Sequence, residues 1–176
     1  SSQGVKNLYN EADHATFVAK EKPGTNAVLY SSSLSGAIVR RAKIEERLEQ
    51  AIREHNINLS FQPKFDLNSN EIIGFEALAR WKDQKLGVVS PGEFIQIAKQ
   101  SSLILHVDRF IVAKAIHHAS NWLKGGQRLS INVSARSIVD AEFCRSVVDL
   151  VKRSSFRPDQ IELEITETAL IEHWEQ

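Results

Sequence analysis

From Pro91 onward the chain reads helix, helix, strand, helix, strand and the start of another helix. Strands that alternate with helices pair in parallel through right-handed crossovers, so this order predicts β/α units with helices covering a sheet. The first of these helices, Pro91 to about Gln100, opens on Ser90-Pro91-Gly92-Glu93. Serine at the N-cap, proline at the first helical position and glutamate three residues after the serine form a strong start signal. Its buried side carries Phe94, Ile95 and Ala98. The next helix runs from about Leu105 to Leu123 and stops before Gly125-Gly126. Arg128 to Ser134 is a predicted strand. Ala141 to Ser154 is a helix with Phe143, Val147, Val148 and Val151 on one side. Pro158 marks a loop, Ile161 to Thr166 a strand, and Ala169 begins a further helical turn.

Ahead of this region, Leu59 to Leu67 alternates apolar and polar residues and reads as a strand. Pro63 has no N–H to give a ladder, which places an edge, a bulge or a strand end there. Asn68-Ser69-Asn70 is a turn and Ile72 to Trp81 a second strand. The connection is too short for a parallel crossover, so the two strands form a hairpin. Earlier still, Leu34 to Glu54 is helical. Ile38, Ile44, Leu48, Ala51 and Ile52 line one side, and Arg40, Arg41, Glu45, Glu46 and Glu49 the other. The plain reading is a packing or linker helix with a solvated face; an interdomain signalling helix is the alternative. Leu8, Ala12, Ala15 and Ala19 predict a helix from Val5 to Glu21. Pro23-Gly24 breaks it, and a short strand from Asn26 to Tyr30 leads into a serine connector.

The strands carry an unusual set of polar groups. In the second, Gly74, Glu76, Leu78 and Arg80 share one face, and Phe75, Ala77, Ala79 and Trp81 the other. In the third, Ser130, Asn132 and Ser134 oppose Leu129, Ile131 and Val133. In the last, Glu162, Glu164 and Thr166 oppose Ile161, Leu163 and Ile165. The apolar faces suit covering helices. The polar faces carry their acids toward the C-terminal ends, where β/α barrels build active sites. Carboxylate and amide oxygens are hard ligands for Mg²⁺ or Mn²⁺, and Arg80 can hold a phosphate oxygen. The competing reading is a solvated strand face, with Asn132 satisfied by backbone. Glu162 lies deeper than Glu164 and reads as a structural or ion-pair residue.

Other residues point to no chemistry. His117-His118 has no acid partners at metal-like spacing, and His106 and Asp108 read as capping and surface residues. Cys144 is the single cysteine, which excludes an intrachain disulfide and reads as a buried, inert thiol. With 22 basic and 22 acidic residues, the balanced charge gives no support for general nucleic-acid binding. No apolar run approaches the roughly 20 residues of a spanning helix, so no membrane contact is expected of this segment.

Several motifs together resemble a known family. Phe61-Gln62-Pro63 with Asp66-Leu67, Glu76-Ala77-Leu78 with Arg80-Trp81, Ser90-Pro91 with Phe94-Ile95, Asn132-Val133-Ser134 and Glu164-Ile165-Thr166-Glu167 follow the order and spacing of the EAL domain. EAL domains are bacterial phosphodiesterases that hydrolyse cyclic di-GMP to pGpG. The resemblance covers about Ile44 to Glu175. It implies an α/β fold, a partial EAL-type TIM barrel whose first strand is antiparallel, preceded by a linker helix. By that resemblance Glu76, Asn132 and Glu164 bind Mg²⁺ or Mn²⁺, with Glu76 and Glu164 catalytic. Gln62, Leu78 and Arg80 contact cyclic di-GMP, and Glu167 steadies a loop. Ala12-Asp13-His14-Ala15-Thr16-Phe17-Val18-Ala19-Lys20 with Gly24-Thr25-Asn26 is similar to the last helix and strand of a GGDEF domain. Thr16 and Phe17 depart from its usual Leu or Met and Tyr.

The resemblance therefore implies a GGDEF remnant over 1–33, a linker helix over 34–54 and the front of an EAL domain over 55–176. The family's later DDFGTG-like motif, its lysine, and a further glutamate and glutamine fall beyond Gln176. The expectation is a cytoplasmic fragment, inactive alone, that self-associates through an exposed barrel edge. The intact protein would carry the phosphodiesterase activity, with sensor or membrane domains possible upstream. Two alternatives are a degenerate EAL module acting as a cyclic di-GMP receptor and a dimerising interaction scaffold.

Overall fold

The computed structural model describes residues 12–13, 15–16, 19–20, 32–123 and 125–165. The chain divides into two compact units, residues 1–46 and 47–176. In the first unit the described residues between 12 and 20 are helical, and the Thr16 hydroxyl donates to the Ala12 carbonyl at 2.8 Å. The strand expected over Asn26 to Tyr30 and the helical start at Ala169 lie outside the described residues. Helix α1, Ser32–Arg53, begins in the first unit and ends in the second. Its stripe is real: Leu48 and Ala51 are buried. Among the described residues, no helix is long and apolar enough to cross a membrane.

The second unit is built on one sheet. Strand β1, Ile57–Phe65, pairs antiparallel with β2, Ile72–Asp83. The turn between them is held by Asp66, whose Oδ1 accepts from the N–H groups of Asn68 and Ser69. Those bonds hold the Asp66 carboxyl below its ordinary pKa. Asn70 takes φ 56°, a left-handed position that asparagine tolerates. β1 is an edge of the sheet and has a register shift between Lys64 and Phe65, so the expectation raised by Pro63 is met twice.

On its other side β2 pairs in parallel with β4, Arg128–Val133, and β4 pairs in parallel with β5, Ile161–Ile165. The end of β2 also pairs with a short strand β3, Gly87–Val89, which the periodicity did not reveal. β3 exists because of a tight turn. Asp83 Oδ1 accepts from the N–H groups of Lys85 and Leu86, and Gly87 sits at φ 72°. The other Asp83 oxygen accepts from the Arg47 guanidinium of α1 at 2.5 Å.

Three helices cover the apolar face. α2, Pro91–Gln100, starts as read: the Ser90 hydroxyl accepts from the Glu93 N–H. Its Phe94 meets Trp81 edge-on at 5.7 Å, with both rings buried. Burying each ring fully is worth about 2–3 kcal/mol. α3, Ile104–Ala119, packs on β1 and β4 through Val107, Ile111, Val112 and Ala115. It ends four residues earlier than expected, because Ser120 and Asn121 turn back onto the His117 carbonyl. Trp122 follows, edge-on to Phe61 and Phe75 at 5.0 and 4.8 Å.

A four-residue helix α4, Ala135–Ile138, comes next, then α5, Ala141–Arg153, which packs on α3. Phe143, Val147 and Val151 are buried on it, whereas Val148 is 50% exposed and leaves the expected stripe. Cys144 is only half-buried, its Sγ close to the Ile138 carbonyl. Asp108 corrects a further expectation, being buried rather than at the surface. It lies on the same α3 face as Val107, Ile111 and Val112, and its Oδ2 accepts from the Ser134 N–H and the Ser137 hydroxyl. A buried acid is tolerated there because these two donors satisfy it, while Ser134 itself caps α4 by accepting from the Ser137 N–H. His106, His117 and His118 are exposed.

Two stability predictions follow from this framework. A Cβ on Gly74 would stand 2.6 Å from the Arg128 carbonyl oxygen, so Gly74→Ala must spread β2 from β4. A loss of about 2 kcal/mol is expected in urea unfolding. Asp83 opposes its own ionisation by being buried, yet Arg47 and the two turn N–H groups hold its carboxyl below the ordinary value. The stabilisation is therefore complete above about pH 4 and is lost as pH falls through the lower folded value. Asp83→Asn should cost about 2–3 kcal/mol at pH 7 and lose less than the unsubstituted chain between pH 5 and pH 2.

Candidate active site

The pleat and the register decide which side chains meet on the uncovered face. Gln62 of β1 lies opposite Glu76 of β2, Glu76 is level with Ser130 of β4, and Ser130 with Glu162 of β5. One step further along, Asn132 is level with Glu164. Glu76, Ser130, Asn132, Glu162 and Glu164 therefore share a single face of one sheet, whereas Ser134 leaves it as the buried N-cap of α4, bonded to Asp108 of α3. The alternating apolar residues Ala77, Leu129, Ile131 and Val133 are buried on the other.

Within this face Glu76 and Asn132 are in contact. The Asn132 amide Nδ2 donates to Glu76 Oε1 at 2.6 Å. That bond leaves the side-chain Asn132 Oδ1 and Glu76 Oε2 without a hydrogen bond among the described residues. Glu164 is held differently. Its Oε1 accepts from the Lys64 ammonium at 2.5 Å, and its Oε2 is likewise left open among the described residues. Both glutamates are half-buried. Each is thus fixed by one oxygen and offers the other.

Glu162 behaves otherwise, in keeping with its reading as an ion-pair residue. Its Oε2 accepts from the Ser130 hydroxyl at 2.8 Å and its Oε1 from Arg128 at 2.9 Å. The Ser130 hydrogen bond, followed by the charges of Arg128 and Lys64, outweighs burial and keeps the Glu162 carboxyl below the ordinary range. Both of its oxygens are engaged, so it has less to offer a ligand.

The expected substrate contacts are more dispersed. Gln62 is exposed beside Glu76. Leu78 is half-buried opposite Ser60, whose hydroxyl reaches the Leu78 carbonyl at 3.5 Å. Arg80 is exposed at the far end of the face and donates to the carbonyl of its neighbour Ala79 at 2.9 Å. It does not reach Glu76. Glu167 lies outside the described residues.

The sequence places Ser130 on this face without a partner, and Lys64 was passed over. Lys64 bonds Ser130 Oγ at 2.5 Å as well as Glu164, and it lies 3.8 Å from Glu162 Oε2. The signal was available in the hairpin: Lys64 is two residues from Gln62, hence on the same face, and it pairs with Gly74. That glycine has no side chain to block the way from β1 toward β4.

The donor types suit a hard divalent ion, although among the described residues no group of three or more His, Cys, Asp and Glu side chains gathers to hold one. Glu76 Oε2, Asn132 Oδ1 and Glu164 Oε2 are the ligand types Mg²⁺ and Mn²⁺ take, on adjacent parallel strands.

Comparisons with known proteins agree with the motifs. The EAL domain profile matches residues 45–176. The biofilm architecture maintenance protein MbaA of Vibrio cholerae is 32% identical over 93% of this chain and 21% of its own length. A cyclic di-GMP phosphodiesterase of Pseudomonas aeruginosa is 34% identical over 84% of this chain and 26% of its own length. The chain thus spans about a quarter of the length of these curated relatives. Among solved structures, the MucR phosphodiesterase in complex with c-di-GMP superposes with a TM-score of 0.65 at 30% identity, covering 71% of this chain and 52% of that one. The sheet and its helices are accordingly part of an EAL-type TIM barrel, and the chain belongs to the EAL domain family.

Proposed function

We propose that the chain forms the front of a metal-dependent phosphodiesterase that hydrolyses cyclic di-GMP to pGpG. The observation that carries this reading is the pair of half-engaged glutamates, Glu76 and Glu164, flanking Asn132 on one sheet face. Glu76, Asn132 and Glu164 would hold Mg²⁺ or Mn²⁺. When bound, such an ion polarises a phosphoryl oxygen and lowers the pKa of the attacking water. The chain's own part is positional. Asn132 fixes the Glu76 carboxylate, and the β4–β5 register keeps Glu164 level with Asn132. Arg80, exposed and planar, takes a phosphate oxygen of the dinucleotide, while Gln62 and Leu78 contact it beside Glu76. Glu167 steadies a loop involved in substrate binding and dimerisation. In the reaction the water oxygen bonds to phosphorus, the ester bond to one ribose oxygen breaks, and that oxygen leaves with a proton.

In the same reading, residues 1–33 are the end of a GGDEF domain, 34–54 a linker helix and 55–176 the first portion of the EAL barrel. The protein acts in the cytoplasm, and this portion pairs with further barrel strands or with a second copy. The EAL match over residues 45–176 supports the last of these three portions.

The test is hydrolysis of cyclic di-GMP by the intact protein with Mn²⁺ or Mg²⁺, beside Glu76→Ala and Asn132→Ala. Both substitutions should cut turnover, Glu76→Ala by at least about a hundredfold and Asn132→Ala by about 10–100-fold. Unchanged turnover in Glu76→Ala would sink the proposal. Binding without turnover by the unsubstituted protein would identify a receptor, and failure to bind the nucleotide a scaffold.

A further inference from the structure

Lys64 stands among the acids of the inward face, and the reading above gives it no role. It belongs to β1, the antiparallel edge strand, while its contacts belong to β4 and β5. Gly74, its partner on β2, opens the lane it crosses. Its ammonium donates to Ser130 Oγ and Glu164 Oε1, each at 2.5 Å. Ser130 is fully buried, and its hydroxyl in turn donates a hydrogen bond to Glu162. Glu162 is already matched by Arg128 at 2.9 Å, so the Lys64 charge is left to balance Glu164.

We propose that Lys64 is a positioning residue and tethered counter-charge that tunes the cation affinity of this site. The inference rests on the reading of Glu76, Asn132 and Glu164 as divalent ligands. The ion pair fixes Glu164 with one oxygen inward. It also places a positive charge within a few ångströms of the open oxygen, where a divalent ion would sit. Like charges that close repel strongly even with solvent screening, so the lysine weakens cation binding. What it supplies in return is sign. Two carboxylates and one divalent ion sum to neutral; with Lys64 the set carries one net positive charge, which favours an anionic phosphodiester.

The test is Mn²⁺ titration of the purified intact protein, followed by loss of the free-ion signal in electron paramagnetic resonance. Lys64→Met should bind Mn²⁺ about tenfold more tightly than the unsubstituted protein. Lys64→Arg, which keeps the charge, should stay within about threefold, and Glu164→Gln should bind more weakly. Circular dichroism checks the fold of each, and Lys64→Gln replaces Lys64→Met where the latter does not fold. A purely structural lysine predicts that Lys64→Met weakens binding or leaves it unchanged, and either result overturns the inference. Mn²⁺ binding that Glu164→Gln does not alter, or that no variant shows, overturns the metal reading itself and the inference with it.

Discussion

Everything on the inward face depends on the close parallel pairing of β2 with β4. Gly74 lets β2 approach until the place a Cβ would take lies 2.6 Å from the Arg128 carbonyl oxygen, and the ladder then runs from Gly74 to Ala77 in register with Arg128 to Ile131. That register sets Glu76 beside Ser130 and within reach of Asn132. Because side chains alternate with a period of two, a slip of one residue would send Glu76 to the helix side and Ala77 to the open side. The helices resist such a slip. Ala77, Trp81, Leu129 and Ile131 are buried on the covered face, and their burial holds the acids on the opposite one.

The face is also organised by charge. Glu76 of β2 and Glu162 and Glu164 of β5 share this face, where Lys64 of β1 pairs with Glu164 and Arg128 of β4 with Glu162. Glu162 is consumed by Ser130 and Arg128, which turns it into a structural clasp between β4 and β5. Glu76 and Glu164 each spend one oxygen on a holding contact. That division of labour separates framework from chemistry on a single strand: Glu162 and Glu164 share a face, yet only Glu164 retains an open oxygen there.

Much of this was legible from residue order. The alternation of Ile72 to Trp81, Arg128 to Ser134 and Ile161 to Thr166 placed the acids on one side, and the short turn after Asp66 made β1 antiparallel. Lys64 was missed because its role appears only once the hairpin register sets it opposite Gly74. Strand β3 was missed because three residues are too few to show a period; its cause is the Asp83 turn. Asp108 was placed at the surface because composition favours exposed acids, whereas two serines of another element supply the donors that make its burial tolerable. Val148 was counted as core on hydrophobicity alone, but α5 is covered on one side only. Local chemistry was readable, and what escaped were contacts made across long separations in sequence.

The central claim is that Glu76, Asn132 and Glu164 form one cation site on the inward face. Anomalous diffraction from crystals of the chain soaked in Mn²⁺ addresses it most directly. The account predicts an anomalous peak in contact with side-chain oxygens of all three residues. A peak bound instead by Glu162, or no peak between β2, β4 and β5 in crystals that hold Mn²⁺ elsewhere, would contradict it.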